Sequence, residues 1–225
     1  MTQVKLPYQE LKNLPFWNDL SPDERSYLIS NLVYLQYQPG QQLLNTNNQC
    51  LGVILVLKGI LRTYLLSPNG REMTLYRTRA GETYLLTASC VLDTISFDTQ
   101  VEAEEPCELL LIPSSVYSQL VAKNIRVECS SYKLLIEGYS DVVTSVERLV
   151  FLNLEQRLAS FLLDEAVDSA SSTIIMTHEQ LAANIGSARV AVSRSLKDME
   201  KQKLVELTRG EIHIINKTGL YQLIQ

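Results

Sequence analysis

Arg189, Val190, Ser193, Arg194 and Lys197 fall within nine consecutive residues near the C-terminus. The planar fork of an arginine matches the O6 and N7 acceptors of guanine, and each good bidentate contact discriminates against a wrong base by about 1–3 kcal/mol. A lysine suits a phosphate better than a base edge. Val192, Leu196 and Met199 interleave with this set at spacings of 4 and 3. If those three face a core, helical geometry turns Arg189, Val190, Ser193, Arg194 and Lys197 outward together. Such a surface reads a base-paired polymer and breaks no bond.

Other chemistries find less support. His178 and His213 are the only histidines, and neither has a carboxylate or cysteine neighbour arranged as a catalytic pair, so both are read as ordinary polar residues. Cys90 as a nucleophile would have no histidine base in the first 177 residues, and no glycine-rich phosphate loop is present; the chain is not expected to be an enzyme. Cys50, Cys90, Cys107 and Cys129 lie 40, 17 and 22 residues apart, far from the close spacing that chelates zinc or an iron-sulfur cluster. They are expected to be free or buried thiols in a reducing compartment.

Local signals place the reading surface. Thr177 with Gln180 three residues on matches a capping box, predicting a helix over 178–185 that buries Leu181, Ala182 and Ile185. Gly186 supplies a turn, and a second helix follows from about Ala188 to Lys203. Helix, glycine turn, helix is the helix-turn-helix unit, whose second helix enters a major groove. Two β-runs, 204–207 and 212–215, joined by Thr208-Arg209-Gly210, form a small wing with Arg209 at its tip. Thr177, Ser187 and Arg209 complete the candidate contact set. Lys201, further along the helix, is assigned to phosphates with Lys197.

The whole chain of 225 residues is 46% hydrophobic with a net charge of −5, a balance that argues against nucleic acid until it is divided. Residues 1–170 hold 13 Lys+Arg against 20 Asp+Glu, whereas 171–225 hold 7 against 5; the C-terminal piece is +2 on an acidic partner. No apolar run approaches the ~20 residues that span a bilayer, and the N-terminus lacks the order of a secretion signal. A cytoplasmic protein without a membrane contact is expected.

From Leu28 to Ile112, turn residues recur around the short apolar runs "LGVILVLKG", "ILRTYLLS", "EMTLYRTRA" and "CELLLIP", predicting an antiparallel barrel or sandwich. Asn69-Gly70 in "SPNG" is read as a hairpin turn with positive φ. A short helix is expected in "SSVYSQLVAKN", then a long one from Val127 to Leu152. Along it Tyr132, Leu135, Tyr139, Val142, Val146 and Leu149 alternate at 3 and 4, a seam suited to a partner helix in a second subunit. Gly138 interrupts it at a cost of about 1 kcal/mol relative to alanine. A second domain begins near Phe151, with a helix in "LNLEQRLASFLLDEA" and a strand in "TIIM".

Barrel, pairing helix and winged helix-turn-helix together resemble the Crp/Fnr superfamily of bacterial transcription regulators over nearly the whole chain. The most specific piece is "HEQLAANIGSARVAVSRSLKDMEKQKLVEL"; "LGVILVLKGILRTYLLSPNGREMTLYRTRAGE" resembles the barrel half, "LTASCVL" stands in the place of the ligand-cassette helix, and "FLNLEQRLASFLL" is similar to the helix after the dimer seam. The resemblance implies an α+β chain with a jelly-roll, cyclic-nucleotide-binding-like domain over 1–122, a dimerisation helix over 123–150 and a winged helix-turn-helix over 151–225. It implies a homodimer on double-stranded inverted-repeat DNA, with RNA polymerase as a further partner. Ser193 and Arg194 match the family's Ser-Arg pair, and Arg189 matches an arginine near the start of its recognition helix. Where many members place a glutamate that accepts from cytosine N4, this chain has Val190, which suits a thymine methyl instead.

The sensor end departs further. Members that bind cyclic nucleotides use a Gly-Glu pair for the ribose and an Arg-Ser pair for the phosphate; here Leu86 falls near the glutamate position and Phe97-Asp98 near the Arg-Ser position. An anionic phosphate there would meet no cation, so cyclic AMP is not the expected effector. The expected pocket comprises Leu86, Thr87, Ser89, Cys90, Phe97, Tyr132 and Leu135, suiting a small apolar ligand, thiol chemistry at Cys90 if Arg77 or Arg79 lies near it, or haem held by that thiol. The rival reading is a ligand- or thiol-sensing module that acts on a protein partner without binding DNA.

Overall fold

The apolar run at residues 52–58 is buried at its first five positions because it is covered from both sides. The computed structural model describes residues 9–43, 52–85 and 99–224, and the chain divides into two compact units: residues 1–63 with 76–141, and residues 64–75 with 142–225.

In the N-terminal unit, β1 (Val33–Tyr37), β7 (Cys107–Pro113), β2 (Gly52–Lys58) and β5 (Thr83–Leu85) form one antiparallel sheet in that order. Alternation along β2 and β7 splits their side chains between two cores. Val53, Leu55, Leu110 and Ile112 pack with Leu11, Phe16 and Leu28, and with the helix α2 (Ser114–Lys123) through Tyr117 and Leu120. Ile54, Val56, Cys107 and Leu109 pack on the opposite side with Leu61, Tyr84, Val101 and Ala103. Helix α1 (Pro22–Ser30) opens with a capping box of Ser21 and Glu24 and a proline in its first turn. β2 starts at Gly52 (φ 138°), where a Cβ would collide with the Ile112 carbonyl.

A second sheet has the order β4 (Glu72–Arg79), β3 (Ile60–Leu66), β6 (Thr99–Ala103). Among the described residues the strands thus form two sheets rather than a closed barrel, linked by a bridge between Gln42 and Glu102. Arg62 pairs with Glu102 at 2.7 Å, and Arg77 holds Glu104 through Nε at 2.6 Å and Nη2 at 2.9 Å. The guanidinium of Arg77, expected to favour a thiolate at Cys90, is thereby engaged; Cys90 itself lies outside the described residues. The β3–β4 turn corrects one detail: Gly70 alone takes positive φ, 78°, and Asn69 does not. Ser67 carbonyl accepts from Gly70 N–H at 2.9 Å, the arrangement in which Pro, Asn and Gly occupy successive positions of a type I turn.

The long helix α3 runs Ile125–Phe151. Its exposed apolar side chains include Ile125, Tyr132, Ile136, Tyr139, Val143, Val146, Leu149, Val150 and Phe151, whereas Leu135 and Val142 are half-buried. Of the expected seam, Tyr132, Tyr139, Val146 and Leu149 are exposed; an exposed stripe also steps through Tyr132, Ile136, Tyr139, Val143, Val146 and Val150, spaced 4, 3, 4, 3, 4. Gly138 leaves its side facing Tyr76, whose hydroxyl would lie 4.0 Å from an added Cβ.

In the C-terminal unit, α4 (Leu154–Asp168) starts from an Asn153–Gln156 capping box and contributes Leu158, Leu162 and Leu163 to a core closed by α5 (His178–Ile185), α6 (Arg189–Lys201) and α7 (Lys217–Ile224). The expected wing hairpin is present as β9 (Val205–Thr208) and β10 (Glu211–Ile214), and β8 (Thr173–Ile175) pairs with the other edge of β10 to make a three-stranded sheet. Among the described residues no helix is long and apolar enough to cross a membrane.

Two outcomes follow from this packing. Leu196→Ala empties a fully buried site and should lower unfolding free energy by about 2–5 kcal/mol in urea melts. Burial pushes the Cys107 thiol up, so mass mapping after brief alkylation should find Cys107 unmodified in the native protein and modified once it is unfolded.

Candidate nucleic-acid interface

Thr177 takes an extended conformation and its hydroxyl accepts from Gln180 N–H at 3.2 Å, while the Gln180 side chain accepts from Thr177 N–H at 2.8 Å. This reciprocal cap starts α5 where the residue types place it. Gly186, at φ 66° and ψ 41°, ends α5 in the left-handed region, which costs glycine little and a branched residue much. Two residues later α6 begins with Ala188 as its N-cap, which offers no side-chain acceptor.

Helix α6 has two faces. Val192, Leu196 and Met199 are fully buried against Leu181, Ala182, Ile185 and α4. Arg189, Val190, Arg194 and Lys197 are exposed on the other side, Val190 at 72%. Ser187 is half-buried, and Arg209 is exposed between β9 and β10. The helix ends where Lys203 adopts φ 60° and Leu204 N–H bonds to the Met199 carbonyl at 3.0 Å.

Ser193 is half-buried, and its hydroxyl is hydrogen-bonded to His178 Nδ1 at 2.8 Å. That contact ties the first turn of α5 to the middle of α6 and gives His178 a positioning role that the sequence reading did not assign. His213 also departs from expectation, because its Nε2 lies 3.3 Å from Glu211 Oε2. Residues two apart on a strand share a face, so β10 supplies the carboxylate neighbour; Nδ1 contacts the Thr173 hydroxyl at 2.9 Å.

Between the start of α5 and the wing lies a cleft of about 370 Å³ bordered by Thr177, His178, Glu179, Arg189, Gly210 and Glu211. Arg189 Nε stands 3.7 Å from Glu179 Oε2 with both side chains largely exposed, a pair contributing at most about 1 kcal/mol and readily exchanged for another anion. Lys201 pairs with Asp198 at 2.7 Å, which leaves Lys197 as the less encumbered cation of the two. Glu179 was missed in the sequence because an acid in a first turn also suits the helix dipole. Asn184 of α5, whose Oδ1 accepts from Thr74 Oγ1 at 2.9 Å, gave no signal at all.

Of the expected effector pocket, Leu86, Thr87, Ser89, Cys90 and Phe97 lie outside the described residues. Tyr132 is exposed, its hydroxyl donating to Glu128 at 2.8 Å, and Leu135 is half-buried. The described interior between the two sheets holds Tyr76 and Tyr84, ring centroids 5.9 Å apart, with the Thr63 hydroxyl donating to Tyr84 at 3.3 Å. Burial pushes both phenols up.

Residues 156–223 match the model of a Crp-like helix-turn-helix domain, and residues 34–124 match that of a cyclic nucleotide-binding domain. The chain is 24% identical to the Cyclic AMP receptor protein of Thermus thermophilus over 91% of its own length and 94% of the relative's. It is 23% identical to the Global nitrogen regulator of Synechococcus elongatus, over 83% and 87%. A crystal structure from Eubacterium rectale, assigned to the crp/fnr family of transcriptional regulators, is 35% identical, covers 95% of this chain and 99% of that one, and superposes with a TM-score of 0.89. With the two-faced α6, the left-handed turn at Gly186 and the three-stranded wing in place, these matches show that the chain belongs to the Crp/Fnr superfamily of transcription regulators.

Proposed function

We propose that the protein works as a homodimer that reads an inverted-repeat DNA site through α6 and answers to an effector other than cyclic AMP. The observation that carries the reading is α6 itself. Its inner face is held by Val192, Leu196 and Met199 at zero exposure, so Arg189, Val190 and Arg194 are presented as a fixed set. The positive end of the helix dipole lies at the same end as Arg189.

Dimerisation is supported by the stripe Tyr132, Ile136, Tyr139, Val143, Val146 and Val150, six exposed positions in the period of a paired helix. Two copies joined along such a stripe would set their reading helices about 34 Å apart, one turn of DNA. A change near residues 147–153, where α3 gives way to α4, would alter that spacing and shift the population between two arrangements. Regulation without cyclic AMP rests on Leu86 and Phe97-Asp98, which offer the phosphate no cation. RNA polymerase is the further partner this reading implies, and the cytoplasm its compartment.

Selection of bound sites from random DNA should return an inverted repeat. Arg194→Ala should abolish the preference for that repeat while leaving most of the salt-dependent background; a variant that still selects the same repeat would show that α6 is not the reader. Lys197→Ala should weaken binding to all sequences alike and lower the salt slope by about 1. Val146→Glu should give a single subunit by sedimentation with an unchanged melt, because Val146 is 48% exposed within its own chain. Protein purified without oxygen should carry its effector into mass and absorption spectra.

A further inference from the structure

Residues 64–75, the distal part of the β3–β4 hairpin, belong to the same compact unit as the helix-turn-helix. Three consecutive residues make the connection. Thr74 Oγ1 donates to Asn184 Oδ1 on α5 at 2.9 Å, and the amide of Asn184 in turn donates to Met176 Sδ at 3.4 Å, just ahead of the Thr177 cap. Met73 lies against the turn, with its Cγ 3.2 Å from where a Cβ on Gly186 would stand. The Leu75 carbonyl accepts from Ser145 Oγ of α3 at 2.6 Å. Thr74 and Leu75 are 8% and 7% exposed, yet Arg189, Val190 and Arg194 remain open. The hairpin therefore grips the unit on a side other than its reading face.

We infer that Met73 and Thr74 are positioning residues for DNA reading: they hold the turn before α6, and so set the attitude at which α6 is presented. The inference rests on the proposed dimer and its inverted repeat. The chain passes from one unit to the other at 63/64, at 75/76 and at 141/142. Two of these three crossings are the strands of this hairpin, and Tyr76, the first residue past the second of them, lies in the interior beside Tyr84. A ligand that displaced Tyr76 would pull on Thr74 two residues away along one strand.

The test uses the full chain as parent, Thr74→Val, Thr74→Ser and Met73→Ala, with three DNA probes: the selected inverted repeat, one half-site, and repeats with one base pair added or removed at the centre. Thr74→Val should bind the repeat about five- to tenfold more weakly, the size of one lost neutral hydrogen bond. Its half-site affinity should be unchanged, and its penalty for altered spacing smaller than the parent's. Thr74→Ser should restore parental behaviour, and Met73→Ala should repeat the Thr74→Val pattern. Met73→Ala leaves the hydrogen bond in place and keeps the test open should Thr74→Val fail to fold. Equal losses on repeat and half-site, unchanged spacing preference, or tighter binding by Thr74→Val would each overturn the inference. A parent that selects no inverted repeat overturns the dimeric reading instead, before any variant is compared.

Discussion

The rest of the C-terminal unit depends on one constraint: the inner face of α6 must stay buried. A helix advances about 100° per residue, so slipping α6 by one position would carry Leu196 toward water and a charged neighbour into the core. Burying an unpaired charge costs several kcal/mol, and exposing a leucine forfeits about 2 kcal/mol more. The opposite face is therefore fixed as firmly as the core. Gly186 is part of the same constraint, because only a left-handed residue there lets α5 and α6 share Leu181, Ile185, Val192 and Leu196. The outward set of Arg189, Val190, Arg194 and Lys197 is thus oriented by residues that lie in the core.

The N-terminal unit solves a different problem. Its four-stranded sheet is covered on both faces, by the second sheet on one side and by α1, α2 and the N-terminal turns on the other. That explains why β2 is apolar along most of its length, whereas a half-exposed strand would alternate. The second sheet carries the Arg62–Glu102 and Arg77–Glu104 pairs, with Arg62 itself buried. Between the sheets the Thr63 hydroxyl donates to Tyr84, whose ring lies beside that of Tyr76.

How much of this was legible in the sequence varied with the range of the interaction. The cap at Thr177 and the turn at Gly186 are local, and α5 begins and ends where its residue types place it. Strands bounded by glycine and proline were also readable, Cys107–Pro113 most directly. The α3 seam was read in part, because Leu135/Val142 and Ile136/Val143 both satisfy a 3–4 alternation with Tyr132, Tyr139 and Val146. Which alternative faces out depends on what the helix packs against, and sequence period alone does not hold that information. The His178–Ser193 and Thr74–Asn184 bonds join residues 15 and 110 positions apart and leave no periodic trace. Nor did period show that the hairpin would divide between two units.

Val190 stands exposed among arginines on α6, and its side chain ends in two methyl groups. A surface of that kind recognises a methyl on the groove edge of a pyrimidine, and C5-methylated cytosine presents that methyl where thymine does. Were Val190 to meet a base pair, as the proposed function has it, that contact would be open to chemical marking of the DNA: modification of a cytosine would then present the methyl that this side chain suits, with no change in the protein and none in the base sequence.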